Sequence, residues 1–285
     1  MLKKIHHVGI VVRSLAEAYK FYRDVLGLHV HVEAIIEDQG VKAALLTIGN
    51  SEIELLEPIN NNGGVGKFLE RRGEGLHHVC FETDDVDAEL AATKAKGIEL
   101  IDQKPRKGLA GMICFLHPRA NHGVLVEYAQ PKDAAGRGLG AHADPNPQPE
   151  SHNPIPEKID HVAVAVKDVD AAVKTFTANF GLPTERAGEE AALQIKRVFL
   201  AIGDAWLELF QPTSEENPAT KFIAERGEGM YTLSLEVENL DAAAQRLAKS
   251  SIQMKVQSVP NGPRLGFISP KSTHGVLLQL IEHSK

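Results

Sequence analysis

Hydrophobic and polar residues alternate along four short stretches of the chain, and a helical pattern follows each of them. The alternation has the two-residue period of a half-buried strand, and the pattern after it has the spacing of an amphipathic helix. The stretches are IHHVGIVVRSLAEAYKFY (5–22), LHHVCFETDDVDAELAAT (76–93), IDHVAVAVKDVDAAVKTF (159–176) and MYTLSLEVENLDAAAQRL (230–247). Residues that favour helix N-caps stand between strand and helix, and they predict helix starts at Ser14, Asp84 or Asp85, Asp168 and Asn239.

The four stretches also end alike, after two further segments with strand-like composition. The endings are IELLEP (53–58), LVEYAQP (125–131), LELFQP (207–212) and LLQLIE (277–282). A fixed internal period is typical of repeated structural units. The chain is therefore predicted to contain four βαβββ modules, numbered 1 to 4 in chain order, and to belong to the α+β class.

The stretch between the second and third modules differs in composition from the rest of the chain. It is rich in proline, glycine and polar residues and lacks periodicity, as linkers do. We therefore predict a first domain at 1–131, a linker at 132–156 and a second domain at 157–285. Each domain then holds two modules and has an ordinary size.

Composition narrows the classes of function. The chain has 285 residues, 43% of them hydrophobic, and a formal net charge of −7, which argues against general nucleic-acid or membrane binding. Two cysteines form no disulfide framework and no CxxC metal motif. The N-terminus lacks the pattern of a signal peptide, so we expect a cytoplasmic protein.

Two polar positions recur in the modules at nearly constant spacing. One is a residue just before the valine or leucine of the first strand, and the other lies in the last strand. The pairs are His7 and Glu54, His78 and Glu127, His161 and Glu208, and Thr232 and Gln279. A carboxylate inside an apolar strand costs free energy unless it is paired or binds a metal. Two modules together therefore offer two histidines and two glutamates for a divalent ion, which could be iron, cobalt, nickel, manganese or zinc.

Neighbouring polar residues are interpreted as structural. His6 and His77 precede the candidate ligands and point to the opposite face, and module 3 has Asp160 at that position. Cys80 shares the face of His78, but its equivalents are all small residues. We therefore expect Cys80 to be a packing position and not a ligand.

Longer motifs carry a resemblance to a known family. The first half contains HHVGIVV, KFYRDVLGL, EDQGVKAALLTIG, IELLEPI, KFLERRGEGLHHVCFETDD and FLHPRANHGVLVEY. With its four modules the chain resembles the vicinal oxygen chelate superfamily (glyoxalase, bleomycin resistance and dioxygenase proteins), and its first half resembles the methylmalonyl-CoA epimerase family. The resemblance implies two vicinal-oxygen-chelate domains, and it implies His7, Glu54, His78 and Glu127 as ligands of a divalent metal.

The second half keeps the frame of the motifs but departs from them at the ligands. Where module 2 has GEGLHHV, module 4 has GEGMYTL, and Gln279 replaces the last glutamate. We expect this half to bind metal poorly or not at all. The resembling epimerases are dimers, so the second half is expected to stand in for a dimer partner, giving a pseudo-dimer within one chain.

Pairing of the modules leaves an alternative open. Pairing within the first half gives the site named above, whereas pairing of module 2 with module 3 gives one at His78, Glu127, His161 and Glu208. The superfamily uses both arrangements. The match of the whole first half to the epimerases favours the first arrangement.

The resemblance implies epimerisation of a 2-substituted malonyl-CoA, such as methylmalonyl-CoA, by α-proton abstraction. A chelated metal stabilises the charge that develops when the proton leaves. Glu127 is the expected base. Glu37 and Asp38 are alternatives for a role at the cavity mouth, although a solvated loop is the simpler interpretation. An acyl-CoA is anionic, and Lys104, Arg106 and Lys107 are predicted to bind it.

Three other functions fit the same superfamily. Glyoxalase I carries out a related proton transfer with a similar metal set. Ring-cleaving dioxygenases use two histidines and one carboxylate on iron, but the complete fourth ligand at Glu54 argues against them. Drug- or metabolite-binding proteins of the bleomycin-resistance type commonly lack the ligand set that is present here.

Overall fold

The computed structural model of the protein describes residues 1–131, 155–259 and 262–283. Each of the four modules has the predicted order of strand, helix and three strands. The α+β class expected from the sequence is therefore confirmed. Most of the predicted linker, residues 132–154, lies outside the described residues.

The first half of the chain contains modules 1 and 2 and one connecting helix. Module 1 consists of β1 (Ile5–Val11), α1 (Leu15–Tyr22), β2 (His29–Ile36), β3 (Val41–Ile48) and β4 (Ser51–Pro58). Helix α2 (Gly64–Arg72) leads to the next module. Module 2 consists of β5 (Gly75–Glu82), α3 (Val86–Ala95), β6 (Arg106–Gly108), β7 (Gly111–Leu116) and β8 (Leu125–Gln130).

The second half repeats this order. Module 3 consists of β9 (Lys158–Ala165), α4 (Val169–Phe180), β10 (Thr184–Glu190), β11 (Ile195–Ile202) and β12 (Ala205–Pro212). Helix α5 (Pro218–Arg226) connects it to module 4. Module 4 consists of β13 (Gly229–Glu236), α6 (Leu240–Lys249), β14 (Met254–Ser258), β15 (Arg264–Ile268) and β16 (Leu277–Glu282).

Two eight-stranded sheets result. The first has the order β2-β3-β4-β1-β5-β8-β7-β6, and the second has the matching order β10-β11-β12-β9-β13-β16-β15-β14. The first strand of modules 1, 2 and 3 runs parallel to the last strand of the same module. The central strands are buried along nearly their whole length, as strands covered on both faces are. The strands that carry the candidate ligands are thus central strands.

The helices begin where the sequence predicts. The side chains of Ser14, Asp85, Asp168 and Asn239 each accept a hydrogen bond from a backbone N–H of the first helical turn. These contacts satisfy donors that have no partner within the helix. Asp85, and not Asp84, is the cap of α3. Every helix among the described residues is too short or too polar to span a bilayer.

Packing divides the chain into two compact units. The described residues of the first are 1–6, 78–131 and 161–232, and it therefore holds most of modules 2 and 3. The described residues of the second are 7–77, 155–160, 233–259 and 262–283, and it holds most of modules 1 and 4. The predicted domains, 1–131 and 157–285, follow the two sheets and stay a prediction.

Inside the first unit, a loop of module 2 contacts α4 of module 3 and the segment that follows α5. His122 lies with its Nδ1 2.9 Å from Oε2 of Glu228 and its Nε2 3.1 Å from Oγ1 of Thr175. Gly123 follows, with a φ of +78°, and a Cβ there would lie 1.9 Å from the carbonyl oxygen of Glu228. The loop can therefore approach this closely only because Gly123 has no side chain.

The second unit contains the same arrangement between a loop of module 4 and the segment that follows α2. Nδ1 of His274 lies 3.1 Å from Oε1 of Glu74. Gly275 has a φ of +79°, and a Cβ there would lie 2.0 Å from the carbonyl oxygen of Glu74. The tight loop is thus a repeated feature of the fold.

Gly123→Ala is expected to destabilise the protein more than Gly181→Ala. Both positions have positive φ, which costs a residue with a side chain roughly 1–2 kcal/mol. Only at Gly123 does the added methyl group also meet backbone, since nothing lies within 4 Å of a Cβ at Gly181. Urea denaturation of both variants measures the difference in unfolding free energy. Equal losses of unfolding free energy in the two variants would contradict the close contact at Gly123.

Candidate metal centre

The acidic residue of the last strand lies beside a small residue of the first strand in three modules. The neighbouring pairs are Gly9 with Glu54, Cys80 with Glu127, and Ala163 with Glu208. The histidine stands two positions before the small residue, and residues two apart on a strand share a face. Histidine and glutamate of one module therefore face the same side of the sheet.

Each of these histidines lies close to the glutamate of its own module. The Nε2–Oε2 distances are 3.6 Å for His7 and Glu54, 3.0 Å for His78 and Glu127, and 3.2 Å for His161 and Glu208. All six residues are buried. The structure thus brings together, pair by pair, the residues that the repeat spacing associates.

Module 4 has a different pair. Thr232 and Gln279 are buried like their counterparts, but Oε1 of Gln279 accepts a hydrogen bond of 2.6 Å from Oγ of Ser234. Ser234 is the small residue of this module. The amide is thus held by the neighbouring strand, and this module has neither an imidazole nor a carboxylate at the two positions.

The chemistry of the donors fits a divalent ion in modules 1 and 2. Neutral imidazole nitrogens and carboxylate oxygens are ligands for zinc, iron, cobalt, nickel and manganese. Buried carboxylates such as Glu54 and Glu127 need a compensating positive charge. Their His–Glu pairs are therefore groups that a metal ion would suit.

An aromatic ring supports the histidine in modules 2 and 3. The ring of Phe115 meets that of His78 edge-on, with centroids 5.3 Å apart, and Phe199 meets His161 in the same way at 5.5 Å. Each phenylalanine lies opposite the glutamate of its module on the neighbouring strand. Such edge-on contacts fix the orientation of the imidazole.

The predicted substrate-binding residues differ in their environment. The guanidinium of Arg106 lies over Phe115, 5.4 Å from the ring centroid, and its Nε lies 3.3 Å from both carboxylate oxygens of Asp102. Its Nη1 is buried and has no hydrogen-bond partner among the described residues. Lys104 and Lys107 are exposed. Arg106 is thus the one of the three that is fixed next to the aromatic support of His78.

The residues outside the predicted ligand set have different surroundings, and the interpretation of Cys80 as a packing position stays a prediction. Cys80 is fully buried in an apolar cluster with Ile113 and Ala129. Burial, together with the negative charges of Asp102 and Glu127, raises the pKa of Cys114 to about 12, so this thiol stays protonated at neutral pH. Glu37 and Asp38 are exposed on a short 3₁₀ turn.

One charged residue of module 3 was not found by sequence reasoning. Nη1 of Arg197 lies 3.3 Å from Oε1 of Glu208, and its Nη2 lies 3.3 Å from Oε2 of Glu190. The repeat comparison does not identify Arg197, because it selects polar positions that the modules share. The other three modules have no charged residue at the position of Arg197. The contact with Glu208 is visible only in three dimensions.

Comparison with known proteins places the chain in a family. Profiles of the Glyoxalase/Bleomycin resistance protein/Dioxygenase superfamily match residues 6–115 and 158–280. A triple variant of 4-hydroxymandelate synthase from Streptomyces coelicolor has the same fold over the whole chain. Its TM-score is 0.76 at 17% identity, and the match covers 100% of this chain and 94% of that one. The chain belongs to this superfamily.

Curated relatives resemble the first half of the chain. Mitochondrial methylmalonyl-CoA epimerase of Mus musculus is 36% identical over 131 residues, which is 45% of this chain and 74% of the relative. The ethylmalonyl-CoA/methylmalonyl-CoA epimerase of Cereibacter sphaeroides is 35% identical over 46% of this chain and 99% of its own length. The first half is thus homologous to methylmalonyl-CoA epimerases, as the motifs indicate.

Glu208 is expected to contribute a pH-dependent share of stability. Burial raises the pKa of this carboxyl, but the hydrogen bond with His161 and the charges of His161 and Arg197 outweigh burial, so its pKa lies below the ordinary value. A lowered pKa stabilises the folded state above the unfolded value of 4.5, and this share is lost as the pH falls through the folded pKa.

Glu208→Gln should therefore unfold more easily than wild type at pH 7, and the difference should shrink toward pH 3. Thermal unfolding of both proteins across this pH range measures it. A difference that stays constant or grows in acid would show that the lowered pKa is wrong.

Proposed function

We propose that the protein is a metal-dependent epimerase that acts by α-proton abstraction on a 2-substituted malonyl-CoA such as methylmalonyl-CoA. The site is in the first half, with His7, Glu54, His78 and Glu127 as metal ligands. The observation that supports it most is the pair of buried His–Glu contacts on β1 and β4 and on β5 and β8. These strands are the four neighbours in the middle of the first sheet.

The homology of the first half supports the substrate class. The relatives named above are epimerases of methylmalonyl-CoA, and the C. sphaeroides protein also has ethylmalonyl-CoA in its name. The likeness to 4-hydroxymandelate synthase concerns the fold alone. A bound divalent ion supplies a Lewis acid that stabilises negative charge developing on substrate oxygens. Cobalt, nickel, manganese, zinc and iron remain the candidate metals.

The residues of the chain have distinct roles in this proposal. The four ligands would hold the divalent ion. Glu127 would accept the α-proton on a carboxylate oxygen, which leaves the electron pair of the C–H bond on the substrate as an enolate, and return of a proton to the opposite face of the α-carbon inverts the centre. The contact of Glu127 with His78 keeps this carboxylate in place. Burial of the site excludes water, which strengthens the electrostatic interactions inside it.

Arg106 is proposed to bind an anionic group of the acyl-CoA. It is half-buried, its Nη1 lacks a partner among the described residues, and Asp102 and Phe115 fix its plane. A guanidinium fixed in this way binds carboxylate or phosphate with little loss of freedom. Lys104 and Lys107, which are exposed in the same segment, are proposed to add longer-range attraction.

The second half is proposed to stand in for a dimer partner. The contacts of His122 with Glu228 and of His274 with Glu74 support this, because each joins a loop of one half to a connecting segment of the other half.

His78→Ala should lower the bound metal by at least about tenfold, because even loss of an outer-shell contact commonly weakens metal affinity 10–100-fold. His161→Ala is the matched control, since His161 is also a buried strand histidine paired with a glutamate. The metal content of each purified variant, compared with that of wild type, tests this expectation. Loss of metal from His161→Ala but not from His7→Ala would instead favour a site formed by modules 2 and 3.

Activity is tested by deuterium exchange into methylmalonyl-CoA in heavy water, with Glu127→Gln compared with Glu37→Gln and Asp38→Asn. We expect wild type to exchange the α-proton, and Glu127→Gln to lose exchange. A Glu37→Gln or Asp38→Asn protein that keeps its metal but loses exchange would move the role of base to that residue. Bound metal without exchange, but with oxygen uptake on a phenolic substrate, would favour a dioxygenase.

Arg106→Ala should raise KM by about tenfold or more with a smaller effect on kcat. Hydrogen bonds to charged groups contribute roughly 1.5–3 kcal/mol, and 1.4 kcal/mol corresponds to a factor of ten. Arg119→Ala is the control, because Arg119 is exposed and pairs with Glu99 at 3.3 Å. Steady-state kinetics on both variants measure the effects on KM and kcat separately. An unchanged KM for Arg106→Ala would remove this residue from the substrate site.

A further inference from the structure

Arg197, in module 3, lies on the same face of the sheet as the His161–Glu208 pair. On β11 it stands two residues before Phe199, which lies opposite Glu208 on the neighbouring strand. Residues two apart on a strand share a face, so Arg197 lies on the face of Glu208. Its contact with Oε1 of Glu208 follows from this register.

The same position in the other modules is uncharged. Leu45, Phe115 and Phe267 are the counterparts of Phe199, because each lies opposite the glutamate or glutamine of its module. The residues two positions earlier are Ala43, Ile113 and Leu265, all buried. A cation at this position is therefore particular to module 3 among the four.

Both oxygens of Glu208 are engaged by side chains of module 3. Oε1 lies 3.3 Å from Nη1 of Arg197, and Oε2 lies 3.2 Å from Nε2 of His161. A second carboxylate, Glu190, holds the other end of the guanidinium at 3.3 Å. Its counterpart in module 1 is the buried Ile36, which pairs with Val41 as Glu190 pairs with Ile195. Module 3 thus has Arg197 and Glu190 at the positions where module 1 has the apolar residues Ala43 and Ile36.

We infer that Arg197 takes the role of the metal ion in module 3, so that a guanidinium and not a divalent cation balances the buried carboxylate of Glu208. The retained His161–Glu208 pair is then a closed ion pair. A divalent ion would have to compete with Arg197 for Oε1 of Glu208 and would also face repulsion from its positive charge. The second half is therefore metal-independent for a reason beyond the loss of ligands in module 4.

The test restores the missing ligands with and without the arginine. The double variant Thr232→His with Gln279→Glu should bind no more cobalt(II) per chain than wild type. Adding Arg197→Ala, which supplies the residue of module 1, should raise the stoichiometry by one. Equilibrium dialysis against cobalt(II) measures both, and circular dichroism checks the fold. Equal stoichiometry in the double and triple variants, or a gain in the double variant, would overturn the inference.

A second measurement needs no new ligands. Arg197→Ala should lower the unfolding temperature, because it leaves Glu208 buried without its cation, and cobalt(II) should recover part of the loss. In Arg197→Ala with Glu208→Gln, the recovery should fall to that of wild type. Lys196→Ala is the matched control, since Lys196 pairs on the surface with Asp170 at 2.7 Å. Equal cobalt(II) shifts in the single and double variants would contradict a metal-like role of Arg197. Because differences between variants are compared, the outcome does not depend on whether the first half binds metal.

Discussion

A carboxylate buried inside a β-strand is the constraint on which the candidate site depends. Its ionised form loses hydration when the strand is covered on both faces, and it must find a positive partner or a metal. The fold places an imidazole two positions from the neighbouring small residue, so that histidine and carboxylate meet on one face. Three modules keep this pair, and in module 3 the carboxylate of Glu208 also contacts Arg197. The fourth module has the amide of Gln279 in place of the carboxylate, so no buried charge has to be balanced there.

The small residue beside the carboxylate is part of the same solution. Gly9, Cys80 and Ala163 lie on the strand next to the glutamate, and all three are small. In module 4 the small residue is Ser234, whose hydroxyl donates to the amide of Gln279. The small size of the residue at this position is thus related to the glutamate or glutamine that lies beside it on the neighbouring strand.

Sequence patterns were sufficient for the repeated parts of the molecule. Strand alternation, N-cap residues and repeat spacing predicted the module order and the helix starts, and they associated each histidine with its glutamate. They did not predict α2, because its sequence begins with glycines and buries only Gly66. The position of β10 was predicted only by the repeat, since its residues are mostly polar and exposed and the strand forms by pairing with β11. Arg197 contacts Glu190 and Glu208 on the two neighbouring strands, and Arg106 contacts Asp102 and Phe115. Neither set of contacts follows from the alternation of hydrophobic and polar residues.

The His–Glu contact is made entirely within one module, and this has a consequence for how such a chain can diversify. Duplication of a module copies a His–Glu contact that is already assembled, so its geometry does not have to arise anew. Each copy can then change its own charge balance while the others keep theirs. A single polypeptide can in this way retain an unaltered His–Glu contact beside an altered one, and the altered copy still serves as scaffold.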